Sequence, residues 1–279
     1  MQDVFELELP AWWGDIRLLS MLQEGPLYAR IAAEVADLPG PTEVLTRARW
    51  GQNYDFIRVF PEHAAAASRV RHPGLVPVSA VRGLHESFVV VTQGARGRTL
   101  QDLTADGVAI DQILDIGIQV SSAIGALHDA GLVEMSVRPD QIFVQPEGSL
   151  RVLAVGAWRV DALTVDLERE PMGDIRLVAP EVIEGADIRD LNGSADVFVI
   201  GELLADLVLD RPLFETSGYA RINEIRQPEK RVSSTHLGGR GDEICPGLGS
   251  LLTRCLRYDP AHRPSSGRAL ASELSALAR

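Results

Sequence analysis

The chain has 279 residues, and 46% of them are hydrophobic, which is enough for one large domain or for two lobes with separate cores. Its formal net charge of -12 argues against nucleic acid or an anionic membrane as the main partner, because both are bound through clustered Lys and Arg. The two cysteines, Cys245 and Cys255, are too few for a disulfide framework and favour a reducing, cytoplasmic compartment.

Short strands and one helix are predicted for the N-terminal third of the chain, after an acidic lead-in at residues 1–14. An alanine-rich stretch at 61–70 predicts the helix. Alternation of apolar and polar residues predicts five strands, at 15–22, 27–35, 43–49, 75–83 and 86–93. We therefore expect residues 1–93 to form a small, β-rich lobe.

Helical patterns dominate residues 94–279, which we expect to form a larger lobe. Residues 92–97 are predicted to connect the lobes, and Thr99 is expected to cap the short helix that follows. Before the later helices, residues 133–159 have the pattern of two short strands joined by a turn. The longer helices are predicted at 111–129, from 194 onward, and at 219–225, 247–257 and 266–277.

Spaced motifs occur in the stretch 133–159 and downstream of it. Pro139 and Gln141 follow Ser136 by three and five residues, and Ala154-Val155-Gly156 comes after the second short strand. The downstream motifs are Ala179-Pro180-Glu181, Ser194-Ala195-Asp196-Val197-Phe198 and Asp259-Pro260-Ala261-His262-Arg263. In this order and at these spacings they resemble the motifs of the protein kinase family, and of its bacterial Ser/Thr members in particular.

This resemblance implies a bilobal protein kinase-like fold of the α+β class. The small β-rich N-lobe with one helix would comprise residues 1–93, and the larger helical C-lobe residues 94–279. The resemblance also implies structural roles for four residues. Glu181 and Arg263 would form a buried ion pair, Asp196 would bind backbone N–H groups of the loop that begins at 133, and Gly156 would end the motif after the second strand.

The resemblance further places unusual residues where phosphoryl transfer depends on particular side chains. Arg47 stands at the N-lobe lysine, Ser136 at the catalytic aspartate, Gln141 at the loop asparagine and Ala154 at the metal-binding aspartate. Magnesium prefers carboxylate oxygens, whereas Ser136 and Gln141 offer a hydroxyl and an amide carbonyl. We therefore expect no catalytic residue, no metal site and no cofactor, and hence a catalytically inactive pseudokinase that acts as a regulatory protein-interaction module rather than as an enzyme.

Two other functions stay open at this point. One is an enzyme with divergent nucleotide chemistry, which would need an acidic metal ligand in the cleft between the lobes. The other is a metal-independent sensor of a nucleotide or small molecule that stacks a base against the connection at 92–94. His72 could serve an enzyme as a base, but no carboxylate or nucleophile pattern accompanies it, so we expect a structural role.

A regulatory role would depend on protein partners. Lys230 is the one lysine among 27 basic residues, and this arginine bias is similar to that of the pseudokinase domains of actinobacterial MviN-type (MurJ-type) lipid II flippases. That similarity implies phosphorylation by an active Ser/Thr kinase and recognition of the phosphothreonine by a forkhead-associated (FHA) domain protein, in the control of peptidoglycan synthesis. The candidate phosphosites are Thr164, Thr235, Thr253 and Thr42, each of which is otherwise an ordinary surface or capping hydroxyl.

The apolar stretches of the chain are short or interrupted by charge, so no transmembrane helix is predicted. A basic N-terminal region followed by an apolar run is absent as well. We expect a cytoplasmic segment without membrane contact of its own, which a longer chain could tether as a domain of a membrane protein.

Overall fold

A six-stranded antiparallel sheet forms the small lobe. The computed structural model describes residues 8–24, 28–47, 62–84, 87–135, 137–154, 178–214 and 218–279, to which all structural statements below refer. The strands, in the order β1-β2-β3-β4-β6-β5 across the sheet, are β1 (Ala11–Trp13), β2 (Ile16–Glu24), β3 (Tyr28–Val35), β4 (Leu38–Arg47), β5 (Val78–Leu84) and β6 (Ser87–Gln93). Helix α1, at residues 62–67, lies between β4 and β5 in the chain.

The two faces of this sheet carry different side chains, as the two-residue period of a strand requires. One face holds an apolar cluster in which Ile31 and Val44 are fully buried; its other members are Ile16, Leu18, Ala33, Val35, Val89 and Val91. The adjacent residues Arg30 and Glu43 therefore lie on the opposite face, where both are also buried. Their burial indicates that the rest of the chain covers this second face.

The sheet has one strand more than the five predicted, because part of the N-terminal lead-in joins it. Trp13 pairs with Ile16, so β1 is an antiparallel edge strand beside β2. Gly14, in the tight turn between the two strands, has a φ of 63°, a conformation that glycine adopts without strain. Trp13 packs against the apolar cluster, whereas Trp12 is 68% exposed.

Helices make up most of the large lobe. They are α2 (Leu100–Asp106), α3 (Ile110–Asp129), α4 (Pro180–Ile183), α5 (Gly193–Leu209), α6 (Gly218–Ile225), α7 (Pro228–Ser234), α8 (Leu237–Ile244), α9 (Leu248–Cys255) and α10 (Gly267–Leu277). A small sheet of β7 (Arg98–Thr99), β8 (Ile142–Val144) and β9 (Leu150–Val152) accompanies them. No described helix combines the length and the apolar character that a bilayer crossing requires.

Helix α5 lies at the centre of the large lobe. All of its residues except Asp206 and Leu207 are buried, and α3, α8, α9 and α10 all contact it. Helices α3 and α10 approach each other closely through two glycines. A Cβ atom at Gly125 would lie 2.6 Å from the backbone nitrogen of Arg268, and one at Gly267 would lie 2.6 Å from a carbonyl oxygen of α3, so only glycine fits at this crossing.

Helices α7 and α8 were absent from the predicted elements, whereas the predictions at 219–225, 247–257 and 266–277 are confirmed with small shifts at their ends. Pro228 and three glycines lower the helix propensity of this region. The proline is tolerated because it occupies the first turn of α7. Gly241 is required by packing, since a Cβ atom there would lie 2.7 Å from the Cα of Gly249 in α9.

The connection between the lobes is held against both of them. The N–H of Gly94 donates to the carbonyl oxygen of Pro41 in β4 at 2.8 Å. Gly97 has a φ of 101°, and a Cβ atom there would lie 2.1 Å from the carbonyl oxygen of Val144 in β8, so no other residue fits. The boundary predicted between residues 93 and 94 lies at this connection, and the division of the chain into two domains there stays a prediction.

An ion pair between a fully buried arginine and a glutamate that is 16% exposed joins α4 to the turn before α10. Arg263 donates from Nη1 to Oε1 of Glu181 at 2.8 Å and from Nη2 to Oε2 at 2.9 Å, so the ion pair that the resemblance implied is present, with bidentate geometry. The same guanidinium donates to the carbonyl oxygens of Ser194, Arg257 and Tyr258. Five hydrogen bonds therefore fix Arg263, whose side chain is fully buried.

Replacing Glu181 with alanine would leave the Arg263 guanidinium buried without its anion, so we expect the free energy of unfolding to fall by about 3–5 kcal/mol. Glu273→Ala is the matched control, because Glu273 also binds an arginine, Arg254, but the two side chains are 41% and 47% exposed. We expect this control to change stability by less than about 1 kcal/mol. Urea unfolding followed by circular dichroism measures both, and equal stabilities would contradict the structural role of Glu181.

Candidate functional site in the cleft between the lobes

The carboxylate of Asp196 in α5 binds the backbone of the loop that follows α3. Its Oδ2 accepts the N–H of Glu134 at 2.8 Å and its Oδ1 accepts the N–H of Met135 at 2.6 Å. Met135 has a φ of 68°, a left-handed conformation that costs energy for a residue other than glycine. The fully buried carboxylate of Asp196 therefore stabilises a strained turn, as the resemblance implied for this residue.

His128, near the end of α3, adds a second contact to the same carboxylate. Its Nδ1 accepts the N–H of Gly267 at 2.9 Å, so its Nε2 carries the hydrogen and donates to Oδ2 of Asp196 at 2.8 Å. One buried imidazole thus joins α3, α5 and the start of α10. The base of the loop is fixed from three helices.

Helix α1 of the small lobe contacts this loop through one pair of buried side chains. Nε2 of His63 lies 3.7 Å from Oε2 of Glu134, and both side chains are 1% exposed. Glu62, one residue earlier in the helix, is exposed instead. His63 is therefore the residue that brings the small lobe to the base of the loop.

Asp140 and Arg138 are the charged pair at the far end of the loop, beside a 3₁₀ turn at Pro139–Gln141. Nε of Arg138 donates to Oδ1 of Asp140 at 3.0 Å, and Nη2 donates to Oδ2 at 3.3 Å. Gln23, at the end of strand β2, donates from Nε2 to Oδ2 of Asp140 at 2.8 Å. This last bond crosses the cleft from the small lobe to the large lobe.

A second charged pair lies deeper in the cleft. Arg30 donates to Oε2 of Glu43 from Nε at 3.1 Å and from Nη2 at 2.8 Å. Its Nη1 donates to Oε1 of Gln23 at 3.2 Å, and its guanidinium carbon lies 4.8 Å from the ring centroid of Phe143 in β8. A guanidinium over an aromatic ring is attracted by the ring's quadrupole. Arg30 therefore contacts both lobes at once.

Glu43 completes this arrangement at the connection between the lobes. Its Oε1 accepts the N–H of Ala95 at 3.0 Å, while its Oε2 binds Arg30. A continuous chain of polar contacts thus runs from the connection, across the cleft, to the loop of the large lobe. We call it the cleft network; its side chains are Gln23, Arg30, Glu43, Arg138 and Asp140.

The structure describes only part of the positions at which the sequence predicted degenerate catalytic residues. Gln141 and Ala154 are buried close together, since the N–H of Leu153 donates to the carbonyl oxygen of Gln141 at 2.8 Å. Arg47 is the last residue of β4, and its side chain lies outside the described part. Ser136 and Gly156 also lie outside the described residues.

The side chains described in the cleft do not fit the magnesium ion that the kinase resemblance implies. Ala154 offers a methyl group where an oxygen ligand is needed, and both oxygens of Asp140 are bound by Arg138 and Gln23. The described ranges contain no group of three or more His, Cys, Asp or Glu placed to bind a metal ion.

Three of the four candidate phosphosites lie in the described part of the chain. Thr42 and Thr235 are buried, and their hydroxyls donate to the carbonyl oxygens of Ala33 and Val232. Thr253 is half-buried and donates to Gly249 at 2.8 Å, whereas Thr164 lies outside the described residues. A buried hydroxyl is poorly accessible to a kinase while the protein is folded. The choice of phosphosite, the upstream kinase and the phosphothreonine-reading partner stay predictions.

His72 lies before β5, where it packs against α3. Its Nδ1 accepts the N–H of Gly74 at 3.1 Å, and its Nε2 lies 3.2 Å from the hydroxyl of Ser122. Burial lowers the pKa of His72 below its ordinary value, and the positive charge of Arg268 lowers it further. A neutral ring that joins two segments is the result, as a structural role requires.

Sequence reasoning missed the cleft network. The sequence did contain one signal: two predicted strands with many apolar residues also contain charged residues, including Arg30 in one and Glu43 in the other. Their pairing depends on register, because Arg30 stands opposite Leu45 and lies diagonally across from Glu43. Register could not be read from the sequence, so the partnership could not be predicted.

Residues 49–275 match the protein kinase domain family. A probable serine/threonine-protein kinase of Clostridium perfringens is 24% identical over 237 residues, which cover 81% of this chain and 32% of that protein. The serine/threonine-protein kinase PknA of Mycobacterium tuberculosis is 24% identical over 241 residues, which cover 83% and 53%. PrkC of Bacillus subtilis is 25% identical over 174 residues, which cover 61% and 26%. The chain thus spans 26% to 53% of the length of these relatives.

The fold is shared with solved kinase-domain structures. The crystal structure of the PknI kinase domain of Mycobacterium tuberculosis superimposes with a TM-score of 0.74 at 18% identity, over 97% of this chain and 99% of that one. The predicted bilobal α+β fold, with a sheet-based small lobe and a helical large lobe, is therefore confirmed.

The same comparisons overturn the expected function. The relatives are named as serine/threonine-protein kinases, and the family match runs through most of the chain. The expectation of a catalytically inactive, non-enzymatic regulatory module was therefore wrong. It rested on the motif positions Arg47, Ser136, Gln141 and Ala154, and it gave no weight to Arg138 and Asp140, the charged residues between Ser136 and Gln141 in the sequence.

Asp196→Asn tests the anchoring of the loop. The amide keeps the shape of the side chain but presents N–H groups where a carboxylate oxygen accepts in the wild type. A buried backbone N–H therefore loses its acceptor, and we expect the free energy of unfolding to fall by about 1.5–3 kcal/mol. Hydrogen exchange at the amides of Glu134 and Met135 should accelerate in parallel.

Asp242→Asn is the matched control, because Oδ1 of Asp242 also accepts two backbone N–H groups, from Gly247 and Gly249, but the residue is exposed. Water can replace those bonds, so we expect a loss of less than about 1 kcal/mol. If the two variants unfold at the same denaturant concentration, burial of Asp196 is not what holds the loop.

Proposed function

We propose, because this chain belongs to the protein kinase domain family, that it transfers a phosphoryl group to serine or threonine hydroxyls of proteins. The relatives' names support the reaction and the class of acceptor. Since the chain spans about half or less of those proteins, the proposal concerns the reaction of this domain and names no particular acceptor protein.

The observation that carries the proposal is the charged pair at the end of the anchored loop. Asp196 fixes the loop base, and the 3₁₀ turn then presents Asp140 and Arg138 at the cleft, where Gln23 reaches them from the opposite lobe. Phosphoryl transfer needs little covalent chemistry from a protein, because positioning and neutralisation of charge supply most of the rate. A carboxylate and a guanidinium on one rigid turn suit these two tasks.

Each group then has one role. Asp140 accepts a hydrogen bond from the acceptor hydroxyl and takes its proton as the hydroxyl oxygen bonds to the γ-phosphorus of ATP, while the bond from that phosphorus to the β,γ-bridging oxygen breaks and ADP leaves. Arg138 donates to the oxygens of the transferred group, for which its planar fork is well matched. In the described geometry the two side chains bind each other, so acceptor and phosphoryl group must replace that contact.

No step in this proposal passes through magnesium. The described donors do not fit the ion, and neutralisation of the phosphoryl charge is assigned to Arg138. The activity is accordingly expected to be slow and to persist when divalent cations are chelated.

Transfer of labelled phosphate from ATP to casein, with and without EDTA, measures the activity. We expect incorporation by the wild-type chain and a rate about a hundredfold lower for Asp140→Asn, since the amide cannot take the proton. Asp106→Asn is the control, because Asp106 also binds an arginine, Arg98, on the exposed surface of the same lobe. This variant should match the wild type.

Two results would contradict the proposal. One is incorporation by the folded wild-type chain that does not exceed the background of a boiled sample. The other is an Asp140→Asn rate equal to that of the wild type, which would place the chemistry elsewhere.

A further inference from the structure

The pair of Arg30 and Glu43 is buried where two lobes meet rather than in an apolar core. Their side chains are 8% and 7% exposed, although both lie on the sheet face opposite the apolar cluster. Burying two charges costs free energy that the mutual attraction only partly returns, so such a pair is a poor means of stabilising a sheet. Its contacts with the connection and with the large lobe call for another explanation.

Arg30 and Glu43 cover three groups that could together bind one flat ligand. Phe143 presents the face of an aromatic ring, and Ala95 presents a backbone N–H that points into the cleft. Thr92 stands opposite Glu43 in the sheet; its hydroxyl is fully buried and, in the part of the chain that is described, has no hydrogen-bond partner. An aromatic face, one N–H donor and a spare hydroxyl together suit a flat heterocycle that carries a ring-nitrogen acceptor, such as a purine.

Arg30 and Glu43 reproduce the contacts of such a ligand. The planar guanidinium lies over the Phe143 ring where a base would stack, and Oε1 of Glu43 accepts the Ala95 N–H where a ring nitrogen would accept it. We propose that this pair is an internal latch that occupies the position of a purine base, so that a nucleotide binds only after the pair has moved out of the cleft. The inference rests on the proposed phosphotransferase function for its consequence, but not for its test.

The latch is connected to the groups that were assigned to phosphoryl transfer. Gln23 accepts from Arg30 through Oε1 and donates to Asp140 through Nε2, so one side chain links the two charged pairs. When Arg30 leaves the cleft, Gln23 loses the partner that orients its amide. Entry of a base therefore loosens the hold on Asp140, which is the group that must become available to an acceptor hydroxyl.

A test has to remove both charges together, because either one alone would be left buried without its partner. Arg30→Val/Glu43→Ala removes the pair and leaves space beside Phe143 and Ala95. Arg30→Met/Glu43→Leu also removes the charges but keeps the volume, so the cleft stays filled. Arg17→Val/Glu34→Ala is the control on the same sheet, because Arg17 and Glu34 form an exposed pair away from the cleft.

Isothermal titration with adenosine measures whether the base position is open. We expect the opened variant, Arg30→Val/Glu43→Ala, to bind adenosine roughly tenfold or more tightly than the wild type, because stacking and one hydrogen bond become available. The volume-keeping variant and the Arg17 control should bind as weakly as the wild type. The idea is overturned if the wild type binds as tightly as the opened variant, or if the folded opened variant binds no better than the filled one.

Hydrogen exchange in the wild-type chain keeps the inference testable if the opened variant does not fold. The Ala95 amide should exchange slowly without ligand, since Glu43 accepts its hydrogen, and excess adenosine should not change that rate. Rapid exchange of this amide in the ligand-free chain, or clear protection on adding adenosine, would show that Glu43 does not occupy the position.

The latch and the phosphotransferase proposal can fail separately. Adenosine carries no phosphate, so its binding does not depend on Asp140 or Arg138. If the opened variant binds adenosine but transfers no phosphate from ATP, the latch stands and the phosphotransferase proposal falls. If the wild type transfers phosphate and binds adenosine as tightly as the opened variant, the latch falls and the reaction stands.

Discussion

The buried carboxylate of Asp196 is the interaction on which the rest of the site depends. It binds the backbone of Glu134 and Met135, and with His128 it joins the loop to three helices of the large lobe. A left-handed residue such as Met135 persists only where its surroundings hold it, and this carboxylate supplies that hold. Asp140, the proposed base, lies five residues after Met135 on the same loop.

Side chains of the small lobe cross the cleft to the anchored loop and to β8 of the large lobe. Gln23 and Arg30 cross from the sheet to Asp140 and Phe143, and Glu43 closes the arrangement at the connection. Both proposals draw on these contacts. In the proposed reaction, Asp140 and Arg138 act on the acceptor hydroxyl and the phosphoryl group; in the proposed latch, Arg30 and Glu43 fill the space in which a base would lie. We therefore expect Arg30 and Glu43 to occupy the base position when no nucleotide is bound.

Features that depend on local motifs could be predicted from the sequence. Elements and contacts that depend on packing between residues distant in the chain could not. Asp196 and the pair of Glu181 and Arg263 were predicted because each lies in a short recognisable motif, and the contacts are present. Strand β1 and helices α7 and α8 were missed because packing, rather than propensity, forms them. Arg30 and Glu43 were missed because their meeting depends on strand register and on the opposite lobe. The functional expectation failed for a related reason, since it weighed four motif positions and not their surroundings.

A crystal structure of the chain grown with ATP tests the account most directly. The account predicts that Arg30 has left the ring of Phe143, that the base stacks there and accepts the Ala95 N–H, and that the terminal phosphate lies beside Arg138. Nucleotide bound elsewhere while Arg30 and Glu43 remain paired over Phe143 would contradict it.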